Sequence, residues 1–195
     1  MPKRLAILCC SLLLSSCDSS NPDQPAGSFA QHLALQGIGF QINSSNQGSL
    51  NQLHILPSGL SVANTAIQRE IDGSVSGAEV ADLNADGAPE LYVFVTSAGS
   101  GSSGSLVAFA ANQNKSLSEI YLPPLTDNPP LMQGYMGHDQ LSIGDGILVR
   151  RFPLYRPDDV NAAPSGGSRE IHYQLLPGEA GWQLKVVHSV DSPDK

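Results

Sequence analysis

Two short segments dominate the apolar part of this sequence. Residues 90–96 read Glu-Leu-Tyr-Val-Phe-Val-Thr, and residues 105–110 read Ser-Leu-Val-Ala-Phe-Ala. Runs of β-branched and aromatic residues bounded by turn residues are typical of buried strands. Because no stretch of about 12 residues shows helical periodicity, the sequence favours strands over helices.

Similar but weaker runs extend this pattern along the chain. They predict further strands at residues 38–42, 53–57, 147–152, 170–176 and 182–187. The last two flank the turn residues 177–181 and predict a terminal hairpin. Several short strands with frequent turns predict an all-β fold, an antiparallel β-sandwich or open barrel.

Composition narrows the class of partner. The chain has 195 residues, of which 19 are Gly and 14 are Pro, and its formal net charge is −8. A negative protein repels phosphate backbones, so we expect no nucleic-acid binding. The same charge suits a cationic protein partner. The mean hydropathy of −0.09 excludes a protein with many membrane spans.

The first residues resemble a bacterial lipoprotein signal. Two basic residues, Lys3 and Arg4, precede an apolar run at 5–14 that ends in Leu-Ser-Ser-Cys17. This order predicts a signal peptide at 1–16 and a lipidated Cys17, and the alternative is an ordinary signal peptide cut nearby. Asp18 after that Cys indicates retention at the inner membrane in enteric-type bacteria.

The rest of the chain divides into three parts. Residues 17–28 predict the lipidated Cys with a flexible tether, 29–190 one β domain, and 191–195 a polar tail. All three Cys precede residue 18. The predicted domain therefore contains no thiol for disulfides, catalysis or metal binding.

Residues 82–90 carry a cluster of oxygen ligands. They read Asp-Leu-Asn-Ala-Asp-Gly-Ala-Pro-Glu, with Asp82, Asn84 and Asp86 at alternate positions and Glu90 at position nine. Oxygen ligands at alternate positions with a turning Gly are what Ca²⁺ requires. The alternative is a structural turn in which these side chains bond neighbouring backbone N–H groups.

A loop of small residues joins the two strongest strand segments. Residues 96–105 read Thr-Ser-Ala-Gly-Ser-Gly-Ser-Ser-Gly-Ser, longer than the usual hairpin link of two to five residues. Such a loop can project into a narrow cleft, where its hydroxyl and N–H groups would bond carboxylates. The alternative is a solvated, flexible loop.

Two pairs of adjacent polar residues follow. His138 and Asp139 are neighbours in sequence, and we expect a structural hydrogen-bonding role for them rather than catalysis. Arg150 and Arg151 would point to opposite faces of a strand, so we expect one to pair with a carboxylate and the other to be solvated.

Taken in order, five segments of the chain resemble the bacterial periplasmic inhibitors of invertebrate-type lysozyme. They are residues 77–95, 97–102 (Ser-Ala-Gly-Ser-Gly-Ser), 115–118, 134–139 (Gly-Tyr-Met-Gly-His-Asp) and 148–155. The likeness covers roughly Phe29 to Tyr155. It implies an all-β protein without enzymatic activity or cofactor, which blocks a host muramidase by inserting a Ser-Gly-Ser-Tyr loop into the active-site cleft.

The inhibitory loop departs from the family at one position. Ser100, Gly101 and Ser102 match the first three loop residues, whereas the Tyr position falls on Ser103. Aromatic rings are typical interface anchors. The departure therefore predicts weaker inhibition, contact through a neighbouring loop, or another target.

The leading hypothesis is a lipid-anchored periplasmic lysozyme inhibitor, with host lysozyme and the membrane as partners. One alternative is an envelope module that binds calcium or a glycan through the 82–90 turn. Another is a Ser-dependent hydrolase, although no window of the chain fits the nucleophile motif G-x-S-x-G.

Overall fold

A computed structural model describes residues 27–193 and shows an almost entirely β fold. Within that range the chain forms three antiparallel sheets of four strands each. Sheet 1 contains β1 (Phe29–Leu35), β2 (Ile38–Ser44), β3 (Leu50–Ser58) and β4 (Ile67–Asp72), in chain order. The predicted all-β class is confirmed.

The remaining strands form two more sheets. Sheet 2 contains β5 (Ser74–Ala81), β6 (Glu90–Thr96), β7 (Gly104–Asn112) and β8 (Ser116–Glu119). Sheet 3 contains β9 (Gln140–Gly144), β10 (Ile147–Pro153), β11 (Ser168–Pro177) and β12 (Trp182–Ser192). A 3-10 turn at Leu125–Asp127 and the one-turn helix α1 (Pro129–Met132) connect sheet 2 to sheet 3.

Sheet 2 is the middle layer, because it is covered on both faces. Along β6 the side chains of Leu91, Val93 and Val95 pack into a core shared with sheet 1. The alternate residues Tyr92 and Phe94 pack into a second core shared with sheet 3. The three sheets are open and do not close into a barrel, so the architecture has one layer more than a two-sheet sandwich.

Turn chemistry sets the hairpins of the outer sheets. Asp145 and Gly146 join β9 to β10 with φ values of 50° and 76°. A two-residue turn with positive φ at both positions matches the twist of the strands that it joins. The predicted terminal hairpin is confirmed, since β11 pairs with β12 from Pro177↔Trp182 onward.

The predicted N-terminal signal and the expected lack of many membrane spans are the last features to compare with the structure. The predicted signal peptide, Cys17 and most of the tether lie outside the described residues. In the stretch from 27 to 193, no helix has the length and apolarity needed to cross a membrane.

Candidate functional site

The Ser/Gly loop, residues 97–103, is presented by β6 and β7, two neighbouring strands with buried central residues. β6 and β7 pair without interruption from Glu90↔Ala110 to Thr96↔Gly104, so the loop begins where the pairing ends. Ser97 closes its base, because its N–H donates to Ser103 O (2.9 Å) and its Oγ accepts from Ser103 N–H (2.9 Å). A stiff pair of strands therefore fixes both ends of the loop.

The tip of the loop faces solvent. Ala98, Gly99 and Ser100 are exposed, as is Ser103, while Gly101 and Ser102 are half-buried. Within the tip, Ser102 N–H donates to Gly99 O at 2.9 Å and makes a tight turn. The predicted loop residues thus lie together at one end of sheet 2, and their inhibitory role stays a prediction.

A second loop, residues 134–139, supports the inner side of the tip. His138 N–H donates to Gly101 O at 2.5 Å. The backbones of the two loops approach closely. A Cβ on Gly101 would lie 2.9 Å from Met136 O, and a Cβ on Gly137 would overlap Gly101 O. Only glycine fits at these two positions, so the sequence Met-Gly-His-Asp is adapted to hold the Ser/Gly loop.

A third segment reaches the tip through Asn161. Its Nδ2 donates to Ser100 O at 2.7 Å, and its Oδ1 lies 3.0 Å from His138 Nε2. The Asn161 backbone is held in turn, because its carbonyl accepts from the Tyr155 hydroxyl at 2.9 Å. The tip is therefore solvent-exposed but hydrogen-bonded to two other loops, and these bonds argue against the flexibility that the alternative interpretation expects.

A buried ion pair supports the end of the loop at Gly104. Arg150 Nε donates to Asp139 Oδ1 at 2.6 Å, and their side chains are only 8% and 0% exposed. Asp139 Oδ2 accepts from Gly104 N–H (2.8 Å) and from the Tyr135 hydroxyl (2.6 Å). Removing one partner of such a pair typically costs about 3–5 kcal/mol.

This cluster shifts the pKa of its members. Burial, followed by the hydrogen bond to Asp139, raises the pKa of Tyr135 above its ordinary value. Burial acts to lower the pKa of Arg150, but the hydrogen bond and charge of Asp139 outweigh it and raise that pKa. Both groups therefore keep their protons near neutral pH, and the cluster acts as a permanent support.

The two adjacent pairs, Arg150 with Arg151 and His138 with Asp139, make the contacts expected of them. Arg150 pairs with a carboxylate as predicted, and Arg151 is exposed, with one hydrogen bond to Ser168 Oγ at 3.3 Å. His138 and Asp139 both make the structural contacts described above and point to different partners. Asn161 was missed in the sequence, where no motif marks it and its partner lies 61 positions away.

Two exposed apolar residues lie next in sequence to segments that contact the tip. Met136 is 46% exposed and Val160 is 65% exposed. Met136 precedes Gly137, which closely approaches Gly101, and Val160 precedes Asn161, which is hydrogen-bonded to Ser100 O. We group these two residues with the Ser/Gly loop and call the set the tip surface.

The 82–90 turn has the geometry of the structural alternative. Asp82 accepts from the N–H groups of Asp86 (3.1 Å) and Gly87 (3.0 Å), and Asp86 accepts from Ala88 N–H at 2.9 Å. Carboxylate oxygens of Asp82, Asp86 and Glu90 lie within 4.8 Å of one another. Calcium binding stays a prediction here, and calorimetry with millimolar Ca²⁺ tests it.

Glu90 lies beneath this turn with an altered pKa. Glu90 is 1% exposed, and its Oε2 accepts from Leu83 N–H at 2.7 Å. Burial raises the pKa of Glu90 to about 7, and the charges of Asp82 and Asp86 add to the shift. The proton on this carboxyl group therefore depends on pH in the neutral range.

Comparison with known families supports the resemblance. The model of the family described as periplasmic lysozyme inhibitor of I-type lysozyme matches residues 61–127. The matched range runs from before β4 to the 3-10 turn and includes the 82–90 turn and the whole Ser/Gly loop. Searches among curated proteins and among solved structures gave no match.

Proposed function

We propose that this protein inhibits invertebrate-type lysozyme by placing the Ser/Gly loop in the active-site cleft of the enzyme. The family match carries the proposal, because it covers this loop and both strands that present it. The exposed tip at Ala98–Ser100 gives that match a physical basis.

The chemistry of the tip suits a cleft that cleaves sugars. Such a cleft presents a carboxylic acid and a carboxylate to its substrate. A Ser hydroxyl donates one hydrogen bond and accepts two, so Ser100 and Ser103 can bond both groups in place of substrate hydroxyls. Gly101 between them and Gly99 before them keep the tip narrow enough to enter.

The supported conformation of the loop favours tight binding. A flexible loop must lose conformational freedom when it binds, at about 0.5–1.5 kcal/mol for each immobilised side chain. In this protein Gly101 O and Ser100 O are already bonded to His138 and Asn161. The loop is therefore held before it meets the enzyme.

Met136 and Val160 take the place of the missing aromatic anchor in this proposal. The loop carries Ser103 at the Tyr position and offers no apolar side chain larger than Ala98. Met is enriched at protein interfaces and adapts its shape to a partner. The exposed Met136 side chain beside the tip would supply apolar contact with the rim of the cleft.

We place this inhibitor in the periplasm, on a lipid anchor at Cys17. The matched family is described as periplasmic. Asp18 favours the inner membrane. An anchored inhibitor would stay close to the peptidoglycan that it protects, and it would act by binding rather than by catalysis.

Titration against purified lysozymes of the invertebrate, chicken and goose types tests the proposal. We expect turnover by the invertebrate type to fall to zero near stoichiometric inhibitor at micromolar concentration. Unchanged turnover of that type at a tenfold excess of this protein would refute the proposed function.

A further inference from the structure

One side chain that contacts the tip lies outside both the Ser/Gly loop and the matched range. Asn161 follows Val160 in the connection between β10 and β11, and its side chain is half-buried. It faces the tip rather than the core, and its Nδ2 donates to Ser100 O at 2.7 Å. Its neighbours in sequence make no hydrogen bond to the tip within the described residues.

Ser100 O orients that amide. A carbonyl oxygen can only accept, so Nδ2 faces Ser100 O and Oδ1 faces His138 Nε2 at 3.0 Å. In this arrangement the ring nitrogen of His138 donates to Oδ1. The His138 ring is also held, since it stacks on Tyr155 at a centroid distance of 6.3 Å.

The same His138 bonds the next carbonyl of the tip through its backbone. Its N–H donates to Gly101 O, so Ser100 O and Gly101 O, two consecutive carbonyls, are fixed by Asn161 and His138. Fixing two consecutive carbonyls sets the orientation of the peptide plane between Ser100 and Gly101. The direction in which the Ser100 hydroxyl projects depends on that plane.

We propose that Asn161 is a positioning residue for the Ser/Gly loop, holding Ser100 in the orientation that enters the cleft. The effect of Asn161 on inhibition rests on the proposed function. Its contacts with the tip are present in the free protein and can be tested without lysozyme. Asn161 would set the affinity for lysozyme without touching the catalytic groups of the enzyme.

The test uses Asn161→Ala and Asn161→Asp, with Asn128→Ala as the matched control. Asp has nearly the same shape and can accept from His138, but it has no N–H to donate to Ser100 O. Asn128 is exposed, and its side chain makes no capping hydrogen bond to the helix that it precedes. All variants are studied as the full chain, with amide exchange followed first without lysozyme.

We expect both Asn161 variants to exchange the amides of Ser102 and His138 at least threefold faster than wild type. Their unfolding temperatures and the exchange of β6 amides should stay unchanged. Inhibition of invertebrate-type lysozyme by Asn161→Asp should weaken about three- to tenfold, the effect of one lost hydrogen bond. Asn161→Ala, which also loses the contact with His138, should weaken it at least as much. The Asn128→Ala variant should match wild type in every measurement.

Two results would overturn the inference. Unchanged exchange of the Ser102 and His138 amides in both variants would show that Asn161 does not hold the tip. Faster exchange with an unchanged inhibition constant would show that the held conformation is not the inhibitory one. If wild type itself fails to inhibit, the proposed function falls, and the exchange data alone decide whether Asn161 positions the loop.

Discussion

Glu90 shows how one buried carboxyl group ties the stability of this fold to pH. In the unfolded chain its pKa is near 4.5, whereas burial raises it to about 7 in the fold. A pKa raised by folding means that the protonated form is favoured in the native state. The contribution of Glu90 is thus most favourable below about pH 4.5 and is lost as pH rises through 7.

We therefore predict that Glu90→Gln removes part of the pH dependence of stability. Between about pH 4.5 and 7.5, the wild-type free energy of unfolding should fall by on the order of 3 kcal/mol more than that of the variant. Urea unfolding at several pH values measures this difference. Glu70→Gln, a change at an exposed carboxylate, should follow wild type, and parallel curves for wild type and Glu90→Gln would contradict the prediction.

Ser100 is the residue on which the proposed inhibition depends most directly. Its side chain is exposed at the tip, so Ser100→Trp should fold normally and yet be too wide for the cleft. We expect inhibition of invertebrate-type lysozyme to weaken at least a hundredfold, with an unchanged unfolding temperature. Ser61→Trp, at an exposed site near the other end of β7, should inhibit like wild type. Full inhibition by Ser100→Trp would exclude the Ser/Gly loop as the inserted element.

Individual residues also mark the limit of sequence-based prediction at this site. Ser100 to Ser103 stood out because glycine and serine repeat between two strong strands. One of Arg150 and Arg151 could be expected to find a carboxylate, since a buried charge needs a partner, but the sequence did not say which. Asn161 carried no such signal, because its role arises only when the β10–β11 connection folds back onto the tip.

At the level of elements, the contact between the Ser/Gly loop and the 134–139 loop depends on Gly137. Its φ is 96°, and an added Cβ would overlap Gly101 O. We predict that Gly137→Ala separates the two loops, weakens inhibition at least tenfold and lowers the free energy of unfolding by about 1–3 kcal/mol. Inhibition assays and urea unfolding measure the two effects.

Gly146→Ala is the matched control for that change. Gly146 also has positive φ, 76°, but an added Cβ there would meet nothing within 4 Å. Gly146→Ala should lower the free energy of unfolding by about 1 kcal/mol through backbone strain and leave inhibition unchanged. Equal losses of inhibition in both variants would mean that strain rather than the contact between loops is responsible.

Met136 tests whether the tip surface includes apolar contact from outside the Ser/Gly loop. Truncation of a side chain that anchors an interface costs more than about 1 kcal/mol, and a loss of about 1–2 kcal/mol corresponds to about five- to thirtyfold in affinity. We expect Met136→Ala to dissociate from lysozyme faster by that factor, as measured by surface binding kinetics. Val62→Ala, a change at an apolar residue 74% exposed elsewhere, should have no effect. Unchanged dissociation of Met136→Ala would remove this side chain from the interface.

The strands differ in how strongly the sequence indicated them. The segments predicted around β2, β3, β6, β7 and β10–β12 all proved to be strands. β1, Phe-Ala-Gln-His-Leu-Ala-Leu, was not predicted, although its residues alternate between half-buried and exposed. β5 and β8 are rich in Ser, Ala and Glu, and they form strands because they pair with β6 and β7 rather than through their own propensity.

For the whole molecule, the number of layers follows from the apolar run in β6. Alternation along a strand predicts one buried face, whereas Leu91 to Val95 are apolar at every position. Such a strand must be covered on both sides, and sheets 1 and 3 provide the two covers. A central layer enclosed in this way gives the Ser/Gly loop a base that resists bending.

The net negative charge of the chain, −8 over the full sequence, should govern how fast the protein meets a cationic lysozyme. Opposite charges steer diffusional encounter, and salt screens this attraction over about 10 Å at 0.1 M ionic strength. We predict that the association rate falls about tenfold between ~20 and ~300 mM salt, while the dissociation rate, set by the contacts at the tip, changes by less than twofold. Stopped-flow binding measures both rates. An association rate independent of salt would mean that the acidic surface has no part in recognition, and a dissociation rate that rises with salt would instead locate the charge contacts inside the bound interface.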